Sequence, residues 1–311
     1  MHPSLRHKIQ NVAQSLLLLA GMAALGWVIL STVAGPELTL AVILGTVGGL
    51  MVSPGIPRRM LLRSYGARRL TAQDFPEGLH LLEMLARKAG LPRVPELYYI
   101  PSQLPNAFAV GSPQDSAVCV SDGLLRVMTR RELAGVLAHE VAHIANRDLW
   151  LMGLADVLSR VVSLAAWVGQ LILVLNLPLI LIGAAYVPWH VPVLLVLSPT
   201  IMAVLQLALS RTREFDADRG GAELTGDPEG LAAALMKLER RTGRAWEDIF
   251  LPGRRIPVPS LLRTHPPTEE RVQRLRELTG RGTHFPDDAP IGFRQSGGVP
   301  APRFGPWGVY R

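Results

Sequence analysis

Five consecutive residues carry the sharpest chemical signal in this chain: His139-Glu140-Val141-Ala142-His143. Histidines at i and i+4 share one helical face, so both imidazoles can reach a single metal ion. The adjacent Glu140 carboxylate is placed to take a proton from an attacking water. Average residue usage makes a chance match in a chain this long roughly a one-in-a-hundred event. The helix that this chemistry needs is itself legible. Thr129 followed three residues later by Glu132 is a capping box, and it predicts a helix running through Leu133 to about Asn146.

A hydrolytic zinc takes three protein ligands and keeps one position open. The third ligand must come from elsewhere, and Arg211-Thr212-Arg213-Glu214-Phe215-Asp216-Ala217-Asp218 offers it. Glu214 and Asp218 are again i and i+4 on a helix. One can ligate while the other orients a histidine. Alone, they would read as a solvated acidic face paired with Arg211 and Arg213; beside two histidines in need of a carboxylate, the ligand reading is stronger. Cys119 lies in an alternating, strand-like run and reads as a packed small residue, not a nucleophile. It is the one cysteine, so an internal disulfide is excluded.

The elements that must bring these residues together are mostly apolar. Hydrophobic residues make up 49% of the 311-residue chain and charged residues 18%, against about 25% charged in soluble domains. Four apolar stretches stand out, at about Val12–Ala34, Leu38–Val52, Val161–Val187 and Val191–Leu209. Crossing a bilayer takes roughly 20 apolar residues. The second stretch is short and glycine-rich, and Pro192 and Pro199 predict a kink in the fourth. The first run exceeds the roughly 7–15 apolar residues of a signal peptide, and a second run follows at once, so the pair reads as a retained helical hairpin. Gly45 and Gly49 have a spacing that suits helix packing, though it does not define an oligomeric state.

The net charge is +7, and its placement decides what it means. Arg6 and Lys8 precede the first stretch, Arg58, Arg59, Arg63, Arg68 and Arg69 follow the second, Arg147 and Arg160 precede the third, and Arg211 and Arg213 follow the fourth. The turns at Gly35-Pro36-Glu37 and Tyr186-Val187-Pro188-Trp189-His190 hold no Lys or Arg. The positive-inside rule then puts both termini and both polar segments in the cytoplasm. Basic residues beside apolar runs suit anionic lipid; none form the basic–aromatic clusters of a nucleic-acid-binding module.

The polar segments predict a helix over Gly78–Ala89 and short strands at Leu97–Ile100, Ala107–Val110 and Ala117–Val120. Further helices are expected over Arg213–Leu224, from Asp227-Pro228 to near Gly243, and from Pro266-Pro267 to near Gly280. The expected organisation is a transmembrane hairpin (1–59), the first part of a catalytic domain (60–150), a second hairpin (151–210), the second part of that domain (211–280) and a Gly/Pro-rich tail (281–311). The fold class is mainly α with a small β-sheet, an α+β zincin-like domain with four transmembrane helices.

With these motifs in order, the chain resembles the HtpX heat-shock proteases and, more distantly, the CAAX prenyl proteases. Asn106-Ala107-Phe108 is similar to the family's edge strand beside the cleft. His139-Glu140-x-x-His143 matches its zinc helix, Arg213-Glu214-Phe215-x-Ala217-Asp218 its third-ligand motif, and Thr264-His265-Pro266-Pro267-Thr268-Glu269-Glu270-Arg271 its late segment. The resemblance implies one zinc per chain held by His139, His143 and Glu214, with Asp218 supporting a histidine and Glu140 as the general base. It also implies His265 and Asn106 near the oxyanion, Arg271 bracing the site, and Ala107-Phe108 as the strand a substrate pairs with. A histidine before two prolines would equally serve as a helix cap. The implied activity is endopeptidase cleavage of membrane or misfolded proteins, as stress-linked quality control at a bacterial or archaeal cell membrane. Two other readings compete. A site-2-type intramembrane protease would bury the motif in a span, which Arg130, Arg131, Arg147 and Asp148 oppose. A zinc-stabilised scaffold or chaperone would not need Glu140.

Overall fold

The computed structural model describes residues 3–52, 58–249, 267–278 and 291. In chain order the elements are α1 (Pro3–Val52), α2 (Arg58–Ser64), β1 (Arg68–Arg69), α3 (Pro76–Lys88), β2 (Glu96–Ile100), β3 (Ala107–Ser112), β4 (Asp115–Ser121), α4 (Asp122–Val127), α5 (Arg130–Ala145), α6 (Asp148–Leu175), α7 (Leu177–Leu181), α8 (His190–Thr225), α9 (Pro228–Ile249) and α10 (Thr268–Arg276). They form two compact units. The first takes Met1–Gly55 and Trp150–Thr212, and the second Ile56–Leu149 and Arg213–Arg311.

Among the described residues, three helices are long and apolar enough to cross a membrane: residues 10–46 of α1, α6 and α8, of which α8 runs on past the first unit. Leu17, Trp167, Leu175 and Val196 are among the large apolar side chains exposed on them, as lipid-facing helices require. Where four apolar stretches predict four spans, the first two fall within α1, which breaks at Gly35 (φ 77, ψ 166). Glycine takes that backbone without a Cβ penalty, and Pro36 then suits the opening turn of the next helical segment. α6 stops at Leu175, short of the expected Val187, and Asn176 and Pro178 open the separate short helix α7. α8, by contrast, is one 36-residue helix with Pro199 inside it. Proline lacks the N–H that would bond the carbonyl of Leu195 four residues back. The side chain of Gln170 on α6 donates to that carbonyl at 2.9 Å. Met22, Ile29, Val162, Ala166, Leu195, Met202 and Leu209 are the centre of this unit's core.

The second unit is built on a four-stranded sheet of order β1-β2-β4-β3. β2 runs parallel to β4, and β3 pairs antiparallel with β4. β4 is central and buried, and β3 is an edge. One face packs Val118, Val120 and Ala109 against α3 and α5 through Leu82, Leu85, Val136, Leu137 and Val141. The other face, with Ile100, Phe108, Val110, Ala117 and Cys119, is covered by Leu62 of α2. α9 locks onto α5. Arg131 makes a bidentate pair with Asp227 at 2.5 and 2.8 Å, and Asp227 also caps α9 through the Gly230 N–H. Close approach is allowed where a side chain is missing: a Cβ on Gly135 would come within 2.8 Å of the Leu231 backbone.

The expected α3, β2, β3, β4 and α5 are present within a few residues of their expected ends. The separate helix over Arg213–Leu224 is instead the last part of α8, because backbone hydrogen bonds continue where side chains turn polar. α9 runs past Gly243 to Ile249; an interior glycine weakens a helix by about 1 kcal/mol but does not end it. The short elements α2, β1 and α4 carry too few residues to show a period. His265, residues 250–263 and the Gly/Pro-rich tail, Ile291 apart, lie outside the described residues.

Candidate metal centre

α5 begins as its sequence requires. The Thr129 side chain accepts from the Glu132 backbone N–H, and the Glu132 carboxylate accepts from the Thr129 N–H, completing the capping box. Lys237 of α9 reaches Glu132 at 2.6 Å. This seats His139 and His143 one helical turn apart, both buried, with ring centroids 4.6 Å apart. The C-terminal part of α8 crosses them through glycines. A Cβ on Gly220 would meet that of Ala142 at 2.8 Å, and one on Gly221 would meet the His139 backbone at 3.1 Å. That crossing presents Glu214 and Asp218.

The two imidazole Nε2 atoms are 3.1 Å apart, and each lies 3.6 Å from an oxygen of the buried Glu214 carboxylate. The Nδ1 atoms point away to other carboxylates, His139 to Asp218 at 3.1 Å and His143 to Asp148 at 2.8 Å. An ionised carboxylate only accepts, so a hydrogen on each Nδ1 is favoured, and each Nε2 presents a lone pair once its ring is neutral. Two lone pairs and a carboxylate converging in a buried space call for a cation. His139, His143 and Glu214, whose donor atoms all lie within 4.8 Å of one another, therefore fit a divalent metal. Imidazole nitrogens with one carboxylate oxygen are ligands that zinc accepts.

Two buried arginines hold the outer carboxylates. Arg271 of α10 donates to Asp218 at 2.7 and 2.6 Å and lies 3.2 Å from Glu214. Arg274 stacks on Phe215, 3.6 Å from its ring centre. Arg213 lies 3.3 Å from Asp148 and also pairs with Asp216. Burial opposes charge on His143, but the hydrogen bond to Asp148 and the charges of Glu214, Asp148 and Glu140 outweigh it and hold the imidazole pKa up at about 9. Burial likewise works against an ionised Asp218, which lies beyond the apolar part of α8, yet Arg271 and His139 hold it below the ordinary carboxylate range.

Glu140 is buried on α5, and its charge is felt by both His143 and Arg271. Asn106 lies just before the edge strand β3. Its backbone N–H donates to Ser121 Oγ at 2.8 Å, and its carbonyl accepts from the Ser121 N–H at 2.9 Å. Ala107 and Phe108 open β3. The Phe108 side chain is buried on the sheet face away from α5, against Tyr65. Of the expected residues, the fold brings together His139, His143, Glu214, Asp218 and Arg271. The contacts of Asp148 and Arg213 with the site were not foreseen. Asp148 follows His143 by five residues, but in the sequence it reads as a polar flank. Its approach depends on a turn at Arg147 with φ 59.

A buried set of two histidines and a glutamate, with a further glutamate beside the first histidine, fits a metallopeptidase. Residues 74–279 match the model of Peptidase family M48. A protease HtpX homolog of Methylibium petroleiphilum is 34% identical over 286 residues, covering 86% of this chain and 98% of that protein. One from Methanocaldococcus jannaschii is 38% identical over 242 residues, covering 72% and 82%. The solved S. mikatae Ste24p aligns with a TM-score of 0.42 at 20% identity, over 87% of this chain and 66% of that one. The chain belongs to peptidase family M48. It is a metalloprotease whose long apolar helices suit a membrane.

Proposed function

We propose that this protein is a zinc-dependent endopeptidase of the cell membrane, with one zinc per chain and its site on the cytoplasmic side. The observation that carries the reading is the convergence of both Nε2 atoms on Glu214 while both Nδ1 atoms face carboxylates. His139, His143 and Glu214 would hold the ion. When bound, zinc supplies Lewis acidity that polarises a peptide carbonyl and acidifies water. Glu140 takes the proton of the attacking water and delivers it to the leaving amine. Asp218, braced by Arg271, keeps the His139 ring oriented. A substrate strand adds to the free edge of β3 at Ala107-Phe108 through main-chain hydrogen bonds, since the Phe108 side chain is already packed away. Asn106, at the start of that edge, and His265 would stabilise the oxyanion.

The domain reading follows from the same chemistry. Ile56–Leu149 and Arg213–Arg311 form a zincin-like α+β catalytic unit, and the first unit forms two hairpins of four spans, with α1 turning at Gly35. An even number of crossings between Asp148 and Arg211 lets His143 and Glu214 share one ion. Basic residues flank every span on one side, which supports cytoplasmic polar segments. Protein substrates drawn from misfolded or short-lived membrane proteins, as quality control in a bacterial or archaeal membrane, fit a site tethered in this way. A site-2-type intramembrane mechanism is disfavoured, because α5 packs against a sheet and begins with Arg130 and Arg131. An inactive scaffold is disfavoured by the retained Glu140.

The test is metal analysis and proteolysis of a membrane-protein substrate by the purified full chain, beside Glu140→Gln. The amide keeps the shape and the metal but cannot accept a proton. Turnover should fall by roughly 10²–10⁴-fold or more with zinc content unchanged. Turnover within a few-fold of wild type would reject the mechanism.

A further inference from the structure

His143 is held from a direction that the sequence motif does not contain. Its Nδ1 lies 2.8 Å from Asp148 Oδ2, and Asp148 is the first residue of α6, five positions beyond the histidine. Simple continuation of α5 would carry residue 148 away from the ring. Instead α5 ends at Ala145, Asn146 caps it, and Arg147 takes φ 59, a left-handed conformation that costs a non-glycine residue free energy and persists where surrounding contacts demand it. The chain doubles back there, and the carboxylate arrives against the imidazole with 2% of Asp148 exposed. A buried carboxylate needs more than one partner, and the second is Arg213, with Nη1 3.3 Å from Oδ1. Arg213 is buried as well and immediately precedes Glu214, so one side chain fixes both the carboxylate behind His143 and the backbone beside the third metal donor.

The other histidine has the same construction from unrelated parts: His139 to Asp218 at 3.1 Å, and Asp218 to Arg271. Two separate His–Asp–Arg chains, built from different elements, converge so that their free Nε2 atoms meet. An acidic residue serving merely to favour the N-terminus of α6 would not need an arginine from α8 or a strained turn.

We propose that Asp148, held by Arg213, is the positioning residue for His143, fixing its tautomer and ring direction toward the metal. The inference rests on the zinc reading above. The experiment measures zinc affinity of the purified full chain by chelator competition, together with the visible spectrum of the cobalt-substituted protein. Asp148→Asn keeps side-chain size but can present an amide N–H to Nδ1. It should weaken zinc binding by about 10–100-fold and alter the cobalt bands. Arg213→Gln leaves Asp148 in place and should shift both readouts in the same direction by less. The double variant should lose no more than Asp148→Asn alone. Should Asp148→Asn fail to fold, Arg213→Gln decides. Zinc affinity within two-fold of wild type and an unchanged cobalt spectrum, in whichever variant folds, would overturn the assignment while leaving the zinc site standing. Failure of the wild-type chain to bind zinc would instead sink the site itself.

Discussion

The two units bury polar groups in opposite ways. Among the described residues of the first unit, the buried polar side chains are all hydroxyls, and most bond the preceding turn of their own helix: Ser15 to Asn11 at 2.9 Å, Thr39 to Gly35 at 2.7 Å, Thr212 to Ala208 at 3.0 Å. In the second unit the buried polar groups include Glu132, Asp148, Arg213, Glu214, Asp218, Asp227 and Arg271, joined across elements. A charge removed from water is tolerated when partners surround it. In lipid the affordable polar group is one satisfied locally. The first unit is therefore organised by shape and the second by charge, and substitutions should fail differently in each.

The largest effect belongs to the charged unit. Glu214→Ala removes one of the three proposed metal donors, so zinc affinity should fall by more than the roughly 10–100-fold that loss of an outer hydrogen bond costs. Elemental analysis after dialysis against a weak chelator reads this. Full occupancy in the variant would mean that Glu214 is not a ligand.

Next comes a pH effect that needs a buried ionisable group, which the described residues of the first unit lack. In the metal-free protein His143 is held protonated up to about 9, against an ordinary 6.5. A raised pKa contributes stability that is fully present below pH 6.5 and lost as pH rises through about 9. Metal needs the neutral ring, so zinc uptake between those values displaces one proton from His143. Apparent affinity should rise about tenfold per pH unit in that window and flatten above it. Titration calorimetry in two buffers of different ionisation enthalpy counts the proton. A buffer-independent heat at pH 7.5 would contradict the assignment.

In the first unit, the interaction to break is the bond from Gln170 to the carbonyl that Pro199 leaves free. Gln170→Leu should lower stability in detergent by about 1 kcal/mol, the scale of interhelical hydrogen bonds in membranes. In a Pro199→Ala background the carbonyl regains its helical donor, so the same substitution should cost much less. Equal losses in both backgrounds would show that Gln170 acts by packing alone.

The same contrast explains what the sequence could reveal. α5 was legible because its signals are local: a capping box, then two histidines at a four-residue spacing. Glu214 and Asp218 were legible as candidates because two facing histidines lacked a carboxylate. Asp148 and Arg213 were not, because their meeting depends on a left-handed turn at Arg147 and on a helix crossing made close by Gly220 and Gly221. The end of the fourth apolar stretch was read as a helix end because hydropathy reports the environment of side chains, whereas α8 is continuous in its backbone. The break at Gly35, by contrast, announced itself in a Gly-Pro pair.

The smallest expected effect is the most useful for topology. Cys119 is fully buried in the central strand β4, and burial, aided by the charge of Glu140, pushes its thiol up to about 12. The reactive species is the thiolate, so a thiol reagent at pH 8 should leave the folded protein untouched and modify it fully once it is unfolded. Rapid labelling of the native chain would mean that β4 is open to solvent and the sheet packing is wrong. Cys119→Ala should retain cleavage within a few-fold, since the side chain is no metal donor and packs beside Phe108 on the sheet face turned away from α5. That gives a cysteine-free chain in which single cysteines at the exposed positions 63, 147 and 211 can be labelled from either side of the membrane. All three should label from the cytoplasm. Labelling of 147 and 211 from opposite sides would separate His143 from Glu214, and the metal centre would have to be redrawn with a different third ligand.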